Sequence, residues 1–288
     1  MKQTRAFDVL GSIAIVRFPK DFKLKDKKEF AQSLLKKQKQ IKTVLEKKGK
    51  IKGRLRKIQT HHLAGEKTKE VLYKENNCFF RFNIDSTYFS PRLSNERKDI
   101  ASKIKKNDSV LVMFAGVSPF SIVIAKTLKN QGFLAPRNPK LRLRADTKKI
   151  SLESKTKKVV SVEINREANK YARLNIELNK VEDNVEIVQG DIKRIADKFA
   201  KQKKKFSVIV MPRPQLKESF LKQAFLLSKK GTKIYYYDFT KIDDANTIIE
   251  KIKNEAKKSK KKIKISLIKK AGEIAPYTFR IRVDLKIV

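Results

Sequence analysis

Two acidic residues stand where a chain could hold a nucleoside. Glu163 ends the apolar run Val159-Val-Ser-Val-Glu163, and Asp191 follows the next such run in Val188-Gln-Gly-Asp191. A carboxylate at the end of a buried strand can accept hydrogen bonds from both ribose hydroxyls, and a second one on the following strand would lie beside the purine ring. Upstream, Val110-Leu-Val-Met-Phe-Ala-Gly-Val-Ser-Pro-Phe-Ser-Ile122 reads as a buried strand, a tight loop around Gly116 and a helix opened by Pro119. The loop is not the G-x-G-x-x-G of pyrophosphate recognition, and the chain has no G-x-x-x-x-G-K-[ST] phosphate loop. A nucleoside without phosphates fits better, and S-adenosylmethionine is the commonest such cofactor.

The residues after the fourth strand narrow the chemistry. Val208-Ile-Val-Met-Pro-Arg-Pro214 lacks the Asn or Asp that amino-methylating enzymes place there to hold an exocyclic amine. Methylation at C5 of a base needs a nucleophilic cysteine, and the single cysteine, Cys78, lies far upstream. What remains is a ring nitrogen or an activated carbon as methyl acceptor. A guanine N1 carries a proton at neutral pH, so it needs a general base and a cation to stabilise charge growing on O6. Thr87-Tyr-Phe-Ser-Pro-Arg-Leu-Ser-Asn-Glu-Arg97 offers such a set in Tyr88, Arg92, Glu96 and Arg97. The same residues also suit an ordinary helix start, with Ser94 as cap and an acid in the first turn.

The surrounding pattern predicts what positions these groups. Residues 7–16 read as a strand with a glycine break, and a helix is expected from about Asp26 to Lys48, stopped by Gly49. Short alternating segments follow, at 51–58, 62–65, 71–74 and 78–84, giving a small α+β module over residues 1–93. From Ser94 to Val288 strands and helices alternate: helix 95–106, strand 109–114, helix 119–130, strand 158–163, helix 166–179, strands 185–188 and 206–211, helix 215–229, strand 232–238, helix 242–258 and strands 263–268 and 279–287. This predicts a doubly wound, Rossmann-type α/β domain with an antiparallel pair at its end. Residues 127–157 interrupt it with a basic, period-two stretch around Leu141-Arg-Leu-Arg144, read as an extended arm or a basic loop.

A charge of +41, from 71 Lys and Arg against 30 Asp and Glu, is far beyond what solubility needs and points to a polyanion. No apolar run reaches membrane-spanning length and no signal pattern opens the chain, so nucleic acid is favoured over membrane. One cysteine excludes an internal disulfide and a cysteine zinc cluster, and suits a reducing, cytoplasmic setting. Adjacent His61 and His62 would face opposite sides of a strand, so no metal site is expected.

Tyr88-Phe-Ser-Pro-Arg-Leu-Ser-Asn-Glu-Arg97, Met113-Phe-Ala-Gly-Val-Ser-Pro-Phe120 and Gly190-Asp191, together with Lys47-Lys48-Gly49, Ala64-Gly65-Glu66 and Val283-Asp284-Leu285, resemble the archaeal and eukaryotic tRNA (guanine-37-N1)-methyltransferases of the Rossmann type. The resemblance covers nearly the whole chain except 127–157. It implies an S-adenosylmethionine-dependent enzyme that methylates N1 of guanosine 37, beside the anticodon, acting as a monomer on the anticodon stem-loop. It also implies roles: Glu96 as general base and Arg56 as the cation at O6; Tyr88, Arg92, Arg97 and Pro214 toward the target base; and Phe114, Ala115, Gly116, Val117, Glu163, Ile164, Asp191, Ile192 and Pro212 toward the cofactor.

Some residues depart from the family pattern. Ser118 replaces a glycine, which is expected to narrow the cofactor pocket, and Met211-Pro-Arg-Pro214 replaces Asn-Leu-Pro. Pro-x-Pro together with Glu at 163 looks like the archaeal subclass associated with wyosine biosynthesis, some members of which also methylate C7 of the precursor 4-demethylwyosine. The separate N-terminal tRNA-elbow module of many archaeal relatives is expected to be absent. The alternative readings are therefore a bifunctional enzyme with that C7 activity and a non-catalytic RNA-binding protein on a vestigial cofactor fold.

Overall fold

The protein was analysed as a computed structural model that describes residues 7–130, 159–212, 216, 218–241, 245–275 and 277–288. Most of the basic arm expected over 127–157, and Pro214, fall outside these residues. None of the described helices is long and apolar enough to cross a membrane.

The N-terminal part is a four-stranded sheet in the order β1 (Asp8–Leu10), β2 (Ile13–Val16), β3 (Thr43–Lys52), β4 (Lys57–Gly65), with one helix, α1 (Leu24–Lys37), between β2 and β3. The helix expected to run on to Lys48 ends at Lys37, and the chain re-enters the sheet as β3, parallel to β2. Ile41, Val44 and Leu45 match a helical stripe, but Val44 and Leu45 are adjacent and both fully buried. Adjacent side chains leave a strand on opposite faces, so β3 must be covered on both sides, which a surface helix is not. Gly49 has a positive φ of 66° inside β3 and stops nothing.

A hairpin of β5 (Glu70–Glu75) and β6 (Cys78–Asn83) follows, with Cys78, Phe80 and Phe82 turned into the main core. Then a 3-10 turn at Pro91–Leu93 leads into α2 (Ser94–Ser102). The expected module 1–93 includes this hairpin, whose hydrogen bonds run elsewhere. Asn175 and Asn179 of α4 (Arg166–Leu178, with Asn179 as its C-cap) accept from the Arg81 and Phe79 N–H groups at 2.6 and 2.9 Å and donate to the same residues' carbonyls. The exposed edge of β6 is thereby covered by two side-chain amides that mimic a neighbouring strand.

The large sheet has seven strands. The remaining elements are β7 (Val110–Met113), α3 (Pro119–Asn130), β8 (Val159–Glu163), β9 (Val185–Gln189), α5 (Ile192–Lys201), β10 (Phe206–Met211), α6 (Leu221–Leu226), β11 (Ser228–Lys241), α7 (Ala245–Lys258), β12 (Ile263–Ala275) and β13 (Thr278–Ile287). Their order is β12-β13-β11-β10-β7-β8-β9, parallel from β11 through β9 and antiparallel at β11-β13-β12. Every residue of β7 is buried, as a central strand covered by helices on both faces requires. The expected Rossmann-type domain and its terminal antiparallel pair are both present.

Two helices differ from expectation. α5 was not anticipated, although Ile192, Ile195, Ala196 and Phe199 have helical spacing and Asp191 caps it by accepting from the Lys193 N–H at 3.0 Å. The helix expected over 215–229 is only Leu221–Leu226, because Phe220 enters it with a left-handed backbone, φ 60°, and β11 begins at Ser228.

The amide clamp yields a test. Asn175→Ala leaves the Arg81 N–H and C=O without their partner at a part-buried edge, so it should cost about 1–3 kcal/mol of unfolding free energy in denaturant titration. A loss below about 1 kcal/mol would mean that the edge finds other partners.

Candidate active site

In a sheet of this topology the strand order reverses beside β7, and a crevice opens where connections leave the strand ends in opposite directions. A cleft of about 850 Å³ that opens to solvent lies there. It is lined by Phe114 and Gly116 after β7, Glu163 to Asn165 and Ala168 after β8, Gly190 to Ile192 after β9, and Pro212, Leu216 and Phe220 after β10. Its other wall comes from the N-terminal part and the segment before α2: Arg54, Leu55, Arg56, Tyr88 and Leu93, with Phe239 and Arg280 from the antiparallel end of the sheet.

The loop after β7 is bent by three left-handed residues, Phe114, Gly116 and Ser118, at φ 57°, 58° and 65°. A Cβ at Gly116 would stand 3.3 Å from the Tyr88 carbonyl oxygen, so the glycine both takes up the turn and leaves room for that strand of chain. The side chains of Ala115 and Val117 are buried beneath the loop, so the cofactor contacts expected of them reduce to main chain. Ser118 does not narrow the cleft as expected. It is 1% exposed, and its hydroxyl turns away to Ser161 at 3.0 Å, which also bonds Ser121 at 2.5 Å.

Glu163 ties the site together. One carboxylate oxygen accepts from the Gly116 N–H and the other from the Asn165 N–H, both at 2.8 Å, which pins the glycine loop to the start of α4. Burial pushes the carboxyl up, and the N–H groups of Asn165, Gly116 and Ile164 only partly offset this. Each oxygen keeps a lone pair for a further donor, as a ribose diol would supply. Asn165 was not picked out from the sequence; its Oδ1 caps α4 and its Nδ2 donates to the Ser86 carbonyl.

Asp191 sits at the next strand end. Its Oδ1 caps α5, and its Oδ2 is paired at 2.8 Å with the Arg54 guanidinium, reaching across from the turn between β3 and β4. Burial alone would raise this carboxyl, but Arg54 outweighs it and holds it below the usual range. In the same turn, Arg56 adopts φ 53° and lays its guanidinium 4.2 Å from the Tyr88 ring centroid. The buried Arg56 Nε has no hydrogen-bond partner. An unpaired charged donor in a pocket wall is a place for an anionic or partly anionic oxygen. Arg280, only 6% exposed, lies over Phe239 at 5.3 Å and adds a second cation that sequence reading missed. Burial acts upward on the Tyr88 phenol, and Arg56 and Arg280 outweigh it and lower it.

Among the predicted substrate residues, Tyr88 lines the cleft while Arg92, Glu96 and Arg97 do not. Arg97 is 1% exposed, doubly bonded to the Glu75 carboxylate and donating to the Ser90 carbonyl at 2.9 Å. It supports the Tyr88–Leu93 segment from inside and cannot touch a base in this arrangement. Arg92 is exposed and donates to the Glu273 carbonyl at 3.2 Å.

Glu96 is also enclosed. Its Oε2 accepts from the Tyr237 hydroxyl and from Arg282 Nη1, each at 2.7 Å, and its Oε1 pairs with Lys269 Nζ at 2.8 Å. Arg282, wholly buried, also binds Asp99 and Asp284. Burial would raise the Glu96 carboxyl, but Lys269, Tyr237 and Arg282 together hold it below the usual range. The Tyr237 phenol is pushed well upward, by burial first and by Glu96 second. Register relates this cluster to the cleft. Tyr237 pairs with Arg282 across β11 and β13, and Phe239 pairs with Arg280 two residues on. The two residues that hold Glu96 Oε2 thus lie one same-face step along the strands from the pair in the pocket wall.

Asp99 makes the cluster testable. Partial burial works upward on its carboxyl, but Arg282 and Lys103 outweigh this and bring it down to about 2 from an ordinary 3.8. A depressed carboxyl contributes stability that is complete above its unfolded value and lost as pH falls through the folded one. Asp99→Asn should therefore destabilise the protein at neutral pH, with the deficit shrinking as pH drops from about 4 toward 2. Denaturant titration of both proteins across that range measures it, and a deficit independent of pH would show that Asp99 acts through packing alone.

Residues 71–140 and 147–266 match the TRM5/TYW2 methyltransferase domain, and residues 2–68 match the TYW2 N-terminal domain. The chain is 30% identical to the tRNA (guanine(37)-N(1))-methyltransferase Trm5b of Pyrococcus abyssi over 98% of its own length and 74% of the relative's. It is also 30% identical to the tRNA (guanine(37)-N(1))/4-demethylwyosine(37)-methyltransferase Taw22 of Nanoarchaeum equitans, over 98% of this chain and 100% of the relative. A solved complex of aTrm5 and tRNALeu superposes with a TM-score of 0.77 at 27% identity, covering 98% of this chain and 72% of that one.

Proposed function

The chain belongs to the TRM5/TYW2 methyltransferase family, and from that premise we propose that it transfers a methyl group from S-adenosylmethionine to N1 of guanosine 37 in tRNA. The observation that carries this reading is one cleft with a carboxylate, Glu163, at a strand end and, in its wall, the Arg56 guanidinium lying over Tyr88 with its Nε unpartnered.

The residues fit the cofactor. Glu163 keeps acceptor capacity for the ribose, Asp191 stands at the adjacent strand end for the adenine amine, and Phe114, Ile164, Ile192 and Pro212 give apolar walls. S-adenosylmethionine supplies an electrophilic methyl, whose bond to sulfur breaks as N1 forms the new one. Tyr88 and Arg56 form a flat, cationic shelf for the target purine, and the free Nε of Arg56 stabilises charge on O6. Glu96 takes the N1 proton. Its depressed carboxyl keeps it ionised at neutral pH, so it is ready to accept.

tRNA is the substrate. The surplus of basic residues suits its backbone, so affinity should fall steeply with salt. Contact with the anticodon stem-loop follows from the position of the target. A cleft completed within one chain, by its N-terminal turn and its large sheet together, supports a monomer. A second activity at C7 of 4-demethylwyosine is favoured by the match of residues 2–68 to a TYW2 N-terminal domain. That match and the full-length likeness to an enzyme named for both reactions keep the bifunctional reading alongside the first.

The deciding experiment incubates the protein with S-adenosylmethionine and phenylalanine tRNA carrying either guanosine or 4-demethylwyosine at position 37, then maps the methylated atom by mass spectrometry of nucleosides. Methylation at N1 is expected. Product from both tRNAs would establish the bifunctional reading, product only from the precursor would overturn N1 methylation, and none from either, with the cofactor bound, would favour a non-catalytic RNA-binding protein. For the cofactor pose, Glu163→Ala removes two charge-assisted hydrogen bonds, at roughly 1.5–3 kcal/mol each. It should raise the calorimetric Kd for S-adenosylmethionine at least about 100-fold, and an equal Kd would show that the ribose is held elsewhere.

A further inference from the structure

Glu96 is met by one row of donors drawn from three neighbouring strands. Lys269 of β12 pairs with Arg282 of β13, and Arg282 pairs with Tyr237 of β11. The three share a face and converge on the carboxylate at 2.8, 2.7 and 2.7 Å. Its two oxygens are not equivalent. Oε2 is bound by Arg282 and Tyr237, which are both fully buried. Arg282 is further fixed by Asp99 at 2.6 Å and by Asp284 at 2.7 and 3.0 Å. Oε1 has Lys269, whose side chain is 34% exposed, sits on the edge strand and is otherwise near only Asp99, at 3.6 Å. Lys103 faces the cluster from the end of α2, bound to Asp99 at 3.0 Å.

Oε1 keeps a second lone pair, but the Lys269 ammonium on it lowers its basicity, so proton transfer from a purine is favoured when that partner leaves. Arg282 cannot leave without stranding three buried or half-buried carboxylates, whereas Lys269 leaves only Oε1 and a distant second contact. We propose that Lys269 is a positioning residue that holds Oε1 of Glu96 in the free enzyme and yields it to the N1–H of the target purine when tRNA binds, its ammonium passing to a backbone phosphate. Arg282 and Tyr237 meanwhile keep hold of Oε2, so the carboxylate turns about a fixed oxygen. The inference rests on Glu96 being the base.

The test is the pH profile of the single-turnover methylation rate for the full chain with saturating S-adenosylmethionine and guanosine-37 tRNA, comparing parent, Lys269→Met, Lys269→Arg and Glu96→Gln. Removing a cation within 4 Å of a carboxylate raises its pKa by about 1 unit or more, so the acid limb of Lys269→Met should lie about one pH unit above the parent's, and Lys269→Arg should restore it. Transfer of the ammonium to a phosphate further predicts that the log–log salt slope of tRNA affinity is shallower by about 0.7–0.9 in Lys269→Met. An acid limb at the parent's pH overturns the positioning role, and an unchanged salt slope overturns the hand-over to phosphate. Glu96→Gln separates the two readings. If it keeps the parent rate, Glu96 is not the base and both readings fall; if it loses the rate while the limb of Lys269→Met stays put, only the inference about Lys269 fails.

Discussion

Two neighbouring side chains at the start of α2 tie distant parts of the chain to one helix turn. Arg97 reaches back to Glu75 on the β5–β6 hairpin, and Glu96 reaches forward to Arg282 on β13. Both arginines are essentially inaccessible to solvent. Desolvating such ions costs several kcal/mol each, and well-packed apolar residues of the same volume often stabilise a protein as well or better. Breaking one partner of a buried pair, however, costs about 3–5 kcal/mol, because it leaves a charge stranded. The arrangement is therefore poor as a source of stability and strong as a way of fixing one geometry. What it fixes is the segment from Tyr88 to Leu93, which runs between the two ion pairs and the cleft.

That constraint explains how one pocket is assembled from remote pieces. The large sheet supplies the strand ends with Glu163 and Asp191. The N-terminal sheet supplies the turn carrying Arg54 and Arg56, and this turn is held at two points, through Arg54 on Asp191 and through Arg56 on Tyr88 of the segment before α2. Tyr88 belongs to the clamped segment, so the cation shelf is held from below by a rigid support while the turn above it is an exposed loop. Rigid support under an exposed turn suits a site to which a large substrate must present one base and then leave.

Much of the cofactor half of the site was legible because its signals are local. A fully apolar strand, a glycine at the turn and a carboxylate at the next strand end occur within short windows, and strand period and helix period separate cleanly in β7, α3, β8 and α4. The N-terminal part was harder. Ile41, Val44 and Leu45 satisfy a helical spacing by accident, and only the parallel pairing of β3 with β2, a long-range fact, decides against it. Ser118 was misjudged for a similar reason: its hydroxyl finds Ser161, 43 residues away, and turns out of the cleft.

The substrate half was legible in residue type and not in role. Nothing in Ser94-Asn-Glu-Arg97 announces that its acid is met by residues 141 and 186 positions downstream. A general base is usually sought as a carboxyl raised toward neutrality by burial, and Glu96 is depressed instead, because burial is outweighed by three donors. A depressed carboxylate is a weak base, so full ionisation at neutral pH comes with little driving force for the proton. In the role we propose for Glu96 that conflict is relieved when a donor is lost at the moment of reaction, since each donor removed returns basicity to the carboxylate. On that proposal, ionised storage and reactive basicity are two states of one side chain, separated by the departure of a single cation.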